Sequence, residues 1–171
     1  MEWREQDPAN CSIGRTLELV GRPWALVVLR EVFRGLHRFD EIQRHIGISP
    51  AVLSRSLSAL VADGLLERRP YHEAGQRVRH EYWLTTAGGE LFPVLAALKA
   101  WGDRHLADPP GPATVHRHRG CGAPTVVALR CDHGHVLDSF GDITVEPGPG
   151  AVRLRETESR RPFLRQGPEP R

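Results

Sequence analysis

Gly47-Ile48-Ser49-Pro50-Ala51-Val52-Leu53-Ser54-Arg55-Ser56-Leu57-Ser58-Ala59-Leu60-Val61-Ala62-Asp63-Gly64 carries its own start and stop signals. Gly47-Ile48 is a tight turn. Ser49 is a natural N-cap, since its hydroxyl can accept a first-turn amide, and Pro50 sits at the first helical position, where a missing N–H costs nothing. The helix runs to Asp63 and Gly64 ends it. Val52, Leu53, Leu57, Leu60 and Val61 repeat with a helical period and face inward. Off that stripe lie Ala51, Ser54, Arg55 and Ser58, small or hydrogen-bonding side chains around one long cation.

Just upstream, Phe39 to Ile46 reads as a helix with Phe39, Ile42 and Ile46 inward. Two helices across a short Gly-containing turn make a helix-turn-helix. A second helix with a low-relief polar face suits a DNA major groove, where arginine bonds guanine O6 and N7. An ordinary solvated face is the alternative. Further upstream, Cys11 to Val20 is a short helix ending at Gly21. Pro23 then starts a helix over Trp24 to Arg34, ending at Gly35, with Trp24, Val27, Val28 and Val32 inward.

Downstream, Leu65 to Tyr71 and Arg77 to Leu84 alternate weakly and read as strands joined by a turn at residues 72–76, with Val78, Tyr82 and Leu84 on one face. A hairpin bearing Arg68, Arg69, Arg77 and Arg79 directly after a helix-turn-helix is a wing that reaches phosphates or a minor groove. Thr85 or Thr86 caps a long helix running to about Leu106. Its stripe of Leu91, Val94, Leu95, Leu98 and Trp101 is longer than one small domain can bury, which points to dimerisation.

These motifs resemble the HxlR-type regulators. The resemblance rests on Cys11 with Thr16-Leu17, Gly21-x-x-Trp24, Leu29-Arg30-Glu31 and Arg38-Phe39-x-Glu41-Ile42. It continues through Ile48-Ser49-Pro50-x-Val52-Leu53-Ser54, Leu60-x-x-Asp63-Gly64-Leu65, Tyr71 and Arg77, and Glu81-Tyr82-x-Leu84-Thr85-x-x-Gly88. It covers about residues 11–106. It implies a homodimeric winged helix-turn-helix regulator of transcription, activating or repressing, and in several members answering electrophiles or disulfide stress through a cysteine at the position of Cys11. Where relatives often carry cations, this chain has Ala51 and Ser56. That leaves Arg55 as the main cation of the recognition helix and shifts weight to the wing.

The chain has 171 residues and a net charge of only +2, so bulk charge does not name a partner. Lys99 is the single lysine among 23 basic residues, a bias that a GC-rich coding sequence also produces. No apolar run approaches a membrane span and the first ten residues are polar, so a cytoplasmic protein with no membrane partner is expected. Glycine-rich phosphate loops, nucleophile elbows and His-Glu-x-x-His are absent, so no enzyme and no cofactor are expected. Cys11, Cys121 and Cys131 are too few and too scattered for a disulfide framework. Cys11, at a helix N-terminus that favours the reactive thiolate, is the redox-sensing candidate, with Arg15 one turn on; the alternative is a small residue in a dimer seam.

The expected organisation is a polar arm at 1–10, a DNA-binding and dimerisation domain at 11–107, a Pro-rich linker at 108–113, a small β extension at 114–146 and a mobile tail at 147–171. The extension, with an apolar strand from Thr125 to Leu129, resembles a degenerate zinc ribbon. Cys121, Cys131, His133 and His135, with His116 and His118 as substitutes, are its metal candidates, but a Cys-x-x-Cys pair is missing, so a metal-free β element is the expectation. The fold class is therefore mainly α with a β-hairpin wing: a winged helix-turn-helix, a long C-terminal dimerisation helix and a small β extension. The expected function is a homodimeric regulator reading an inverted-repeat operator in double-stranded DNA through Ser49, Pro50, Ala51, Ser54, Arg55 and Ser58, with Arg38, Arg77 and Arg79, and responsive to a small molecule or redox signal. The alternative is a ligand-, redox- or metal-sensing module with weak DNA binding that acts through a protein partner.

Overall fold

The computed structural model describes residues 3–72 and 77–154; residues 73–76 of the expected turn at 72–76 and the end of the expected tail, 155–171, lie outside them. The chain divides into two compact units. One holds the residues up to Thr85 together with those from Thr144 onward, and the other is Thr86–Ile143.

In the first unit, α1 (Ser12–Val20), α2 (Ala25–Phe33), α3 (Phe39–Ile46) and α4 (Pro50–Ala62) precede β1 (Leu66–Tyr71) and β2 (Arg79–Leu84). The core is where their apolar stripes meet: Val28, Leu29, Ile42, Leu53 and Leu57 are wholly buried, with Val32, Leu60 and Leu66 close behind. Burying a side chain of this size stabilises by about 1.5–3 kcal/mol. Ile48 plugs the turn between α3 and α4. Gly47 takes φ +77 there, in the left-handed region that closes α3.

Two expectations for α2 are corrected. The helix begins at Ala25, and Trp24 is its N-cap at φ +73, 41% exposed rather than in the core stripe. Pro23 bars a hydrogen bond from its own nitrogen, and the chain turns once more before the helix starts. Leu29, not Trp24, completes the buried stripe.

Among the stripe's neighbours is a fully buried acid, Glu31. Arg30 holds its Oε1 at 2.5 Å and Arg34 stands 3.8 Å away. His45 of α3 places Nδ1 2.6 Å from Oε2, outside hydrogen-bond geometry. Charge inside the core is tolerated because cations reach in from the rim.

β1 and β2 pair antiparallel, Leu66 opposite Leu84 and Tyr71 opposite Arg79. The last residues of this unit close on its first. Asp7 N donates to Val152 O at 2.8 Å, Leu154 N to Glu5 O at 2.7 Å and the Asn10 side-chain amide to Gly150 O at 2.7 Å. Residues 150–154, which begin the expected tail, are thus tied to the N-terminal arm.

In the second unit the single long helix is replaced by two, α5 (Thr86–Gly89) and α6 (Phe92–His105). Pro93 cannot donate to the carbonyl four residues back and its ring crowds that carbonyl, so the helix restarts. No residue of α6 is buried. The expected strand from Thr125 to Leu129 is also corrected. Among the described residues of this unit, the strands that pair are β3 (Leu129–Arg130) and β4 (Val136–Leu137), with a single antiparallel bridge between Arg117 and Pro124 besides. Thr125 bonds back to the His116 carbonyl at 2.9 Å, and Val126 stands 86% exposed.

Candidate nucleic-acid interface

The face that α4 turns to solvent is read directly from burial. Leu53, Leu57 and Leu60 are inside, whereas Ala51, Ser54, Arg55 and Ser58 are exposed. Ser49 Oγ accepts from the Val52 amide at 3.4 Å and Pro50 opens the helix, so the N-terminal turn is held rigid. Arg55 makes no side-chain hydrogen bond or ion pair among the described residues, so its guanidinium is available.

The wing is held to the helix-turn-helix by contacts that sequence reading did not name. The Tyr82 amide donates to the His37 carbonyl at 2.8 Å, and His37 Nδ1 lies 3.0 Å from the Tyr82 carbonyl. The His37 ring stacks on Trp83 at 3.7 Å between centroids. Arg38 donates to Glu81 at 3.2 Å and lies over the Tyr71 ring at 4.4 Å. The Trp83 indole also donates to Glu81, at 3.2 Å. These two donors hold the Glu81 carboxyl below its ordinary pKa, the indole contributing most. Arg69 covers Trp83 at 4.8 Å and bonds Glu67. Arg38 is thus committed to the wing's root, and Arg69 to Glu67 on its own strand and Trp83 on the other. Arg77 and Arg79 are exposed, without an ion pair among the described residues. The signals in sequence are Tyr71 in one strand and Trp83 in the next, after a His37-Arg38 pair, but which of them meet is a long-range matter.

The model of the HxlR-like helix-turn-helix family matches residues 19–109. The chain belongs to that family. The uncharacterized HTH-type transcriptional regulator Rv3095 of Mycobacterium tuberculosis is 44% identical over 139 residues, covering 81% of this chain and 87% of that protein. Among solved structures, PA1607, described as a candidate transcription factor, superposes with a TM-score of 0.74 at 30% identity, over 82% of this chain and 96% of the other. The redox regulator HypR in its oxidized form gives a TM-score of 0.52 at 30% identity, over 57% of this chain and all of the other. The HxlR-like chain is accordingly a DNA-binding regulator of transcription with a winged helix-turn-helix fold. No helix among its described residues is long and apolar enough to cross a membrane.

The redox-sensing candidate Cys11 is the N-cap of α1, half-buried and not in a disulfide. Arg15 lies one turn on, as expected, its amide donating to the Cys11 carbonyl at 3.0 Å, and its guanidinium donates to Asn10 at 3.3 Å. Of the metal candidates, Cys121 pairs with His118 at 3.4 Å and Cys131 with His135 at 3.5 Å. His133 stands 6.5 Å from His135 between ring centroids. Among the described residues no three His, Cys, Asp or Glu side chains converge as a metal site would require.

Proposed function

We propose that this HxlR-like regulator acts as a homodimer on an inverted-repeat operator, with α4 of each protomer in a major groove. The observation that carries the reading is the outer face of α4, low in relief and tipped by one unpaired arginine. Arg55 reads a guanine edge; Ser49, Pro50, Ala51, Ser54 and Ser58 let the helix approach; Arg77 and Arg79 take phosphates. Arg38 contributes by fixing the wing rather than by meeting DNA. Dimer contacts come from α6 and from α1, each through its own exposed apolar face. Val94, Leu98 and Trp101 follow one another along one face of α6, and Ile13 and Leu17 along one face of α1, all exposed in the single chain. The experiment is a gel shift on the DNA upstream of the gene, run with wild type and Arg55→Ala. A shift for wild type that Arg55→Ala loses on the specific site supports the reading, and no shift for wild type on any upstream fragment refutes it.

A signal through Cys11 is the second element of the proposal. It is favoured by the free thiol on α1, next to the proposed seam, and by the likeness to a redox regulator. An adduct there would turn one recognition helix relative to the other. Release of DNA by diamide from wild type but not from Cys11→Ser is the expected result. Equal sensitivity of both proteins moves the switch elsewhere.

A further inference from the structure

The side of α4 next to its outer face borders a cavity of about 420 Å³. Leu19 of α1, Pro23, Trp24 and the α4 residues Val52 and Ala59 supply apolar walls, and Arg22 and Arg55 are its charged residues. Cavities of roughly 300–1,000 Å³ with apolar walls and a few polar groups are the usual form of small-molecule sites.

Three features point to the kind of occupant. Trp24 sits at φ +73, a conformation that bulky residues rarely adopt and that marks functional positions when it persists. Its amide plane is fixed by the bond from Val28 N to its carbonyl at 2.8 Å, and the result is an indole on the cavity rim, 41% exposed. Arg22 is already satisfied, donating to Asp63 at 2.6 Å and to the Glu18 carbonyl at 3.0 Å. Arg55 has no such partner among the described residues. The cavity therefore offers an aromatic face and one uncompensated positive charge.

We infer that it binds a planar aromatic anion of one or two fused rings, with the ring against Trp24 and the carboxylate or phenolate on Arg55. Val52, Arg55, Ser56 and Ala59 follow one another at helical spacing on the cavity side, and Ala51, Ser54 and Ser58 on the outer side. Arg55 stands on the border and serves either. An anion in the cavity draws the guanidinium away from DNA, so the ligand is an inducer of release. This second half rests on the reading of α4 proposed above, whereas ligand binding by the free protein does not.

The test is calorimetric titration of the DNA-free full chain with 2-naphthoate and its uncharged isostere 2-naphthamide. Saturable binding of naphthoate with a Kd no weaker than about 1 mM is expected. Loss of the charge partner should weaken it at least about tenfold, both for naphthamide and for Arg55→Gln. Trp24→Gly, which suits that backbone conformation and keeps the fold, should lose binding too. Absence of saturable naphthoate binding, or equal affinity for acid and amide, overturns the site. In a gel shift, naphthoate should release DNA from wild type; binding without release overturns the coupling. A chain that binds naphthoate but no DNA upholds the site and strikes the reading of α4.

Discussion

Glu81 accepts from the Trp83 indole and from Arg38, and a carboxylate with two such donors titrates below its ordinary 4.5. Such a group stabilises the fold at pH values above its unfolded pKa, and that contribution is lost as pH falls through its folded value. The wing's root should therefore loosen in acid below pH 4.5. Tryptophan fluorescence across an acid titration should show a step in wild type that Glu81→Gln lacks, since glutamine carries no titrating charge; superimposable profiles would remove Glu81 from the account. Glu31 has no exposure at all, and Arg30 is the cation nearest to it. Arg30→Ala takes away its nearest partner and leaves Arg34 and His45, so the loss should be about 2–3 kcal/mol, at or below the lower end for a broken buried pair, read by urea unfolding. Arg55→Ala should cost about 1–3 kcal/mol on the specific site and relax the preference at one base pair of each half-site. A competition gel shift with point-substituted operators measures both.

At the scale of elements, the helix-turn-helix was legible because each of its signals is local. Ser49, Pro50, Gly47 and the Val52–Leu60 stripe act within a turn or two of themselves, and the structure repeats them to within a residue. The wing's existence was legible in the same way, but its root was not. His37 and Trp83 are far apart in sequence, and it is the long-range bridge between Arg38 and Glu81, with the Tyr82 amide on the His37 carbonyl, that brings Trp83 over His37. The break between α5 and α6 escaped notice for a different reason. Leu91, Val94, Leu95 and Leu98 keep helical spacing straight across Pro93, so the apolar period hides the interruption. The run Val126-Val127-Ala128-Leu129 misled for a third reason, since β-branched residues favour a strand only where a partner covers them. The wing's role has its own test. Arg77→Ala should weaken binding to all sequences alike and lower the slope of log K against log salt by about one unit. Fluorescence anisotropy at several ionic strengths provides the slope, and an unchanged slope would place Arg77 away from phosphate.

For the whole molecule, the exposed stripe of α6 is the feature that a single chain does not explain. Leu98 is 51% and Trp101 52% exposed, and large contiguous apolar faces on stable proteins mark interfaces. Leu98→Asp would set an unpaired charge in the proposed seam. Sedimentation should then report a monomer, with operator binding lost because a single half-site remains; a Leu98→Asp protein that stays dimeric assigns the seam to another face. The bonds between the N-terminal arm and residues 150–154 bear on the same scale. They make Thr86–Ile143 an insertion within the first unit rather than an appendage at its end. A protease that cuts once in the Pro-Pro-Gly-Pro stretch at 109–112 would therefore free nothing. The two fragments, each carrying part of the winged unit, would migrate together on a native gel and part only in denaturant, as the halves of a split protein do.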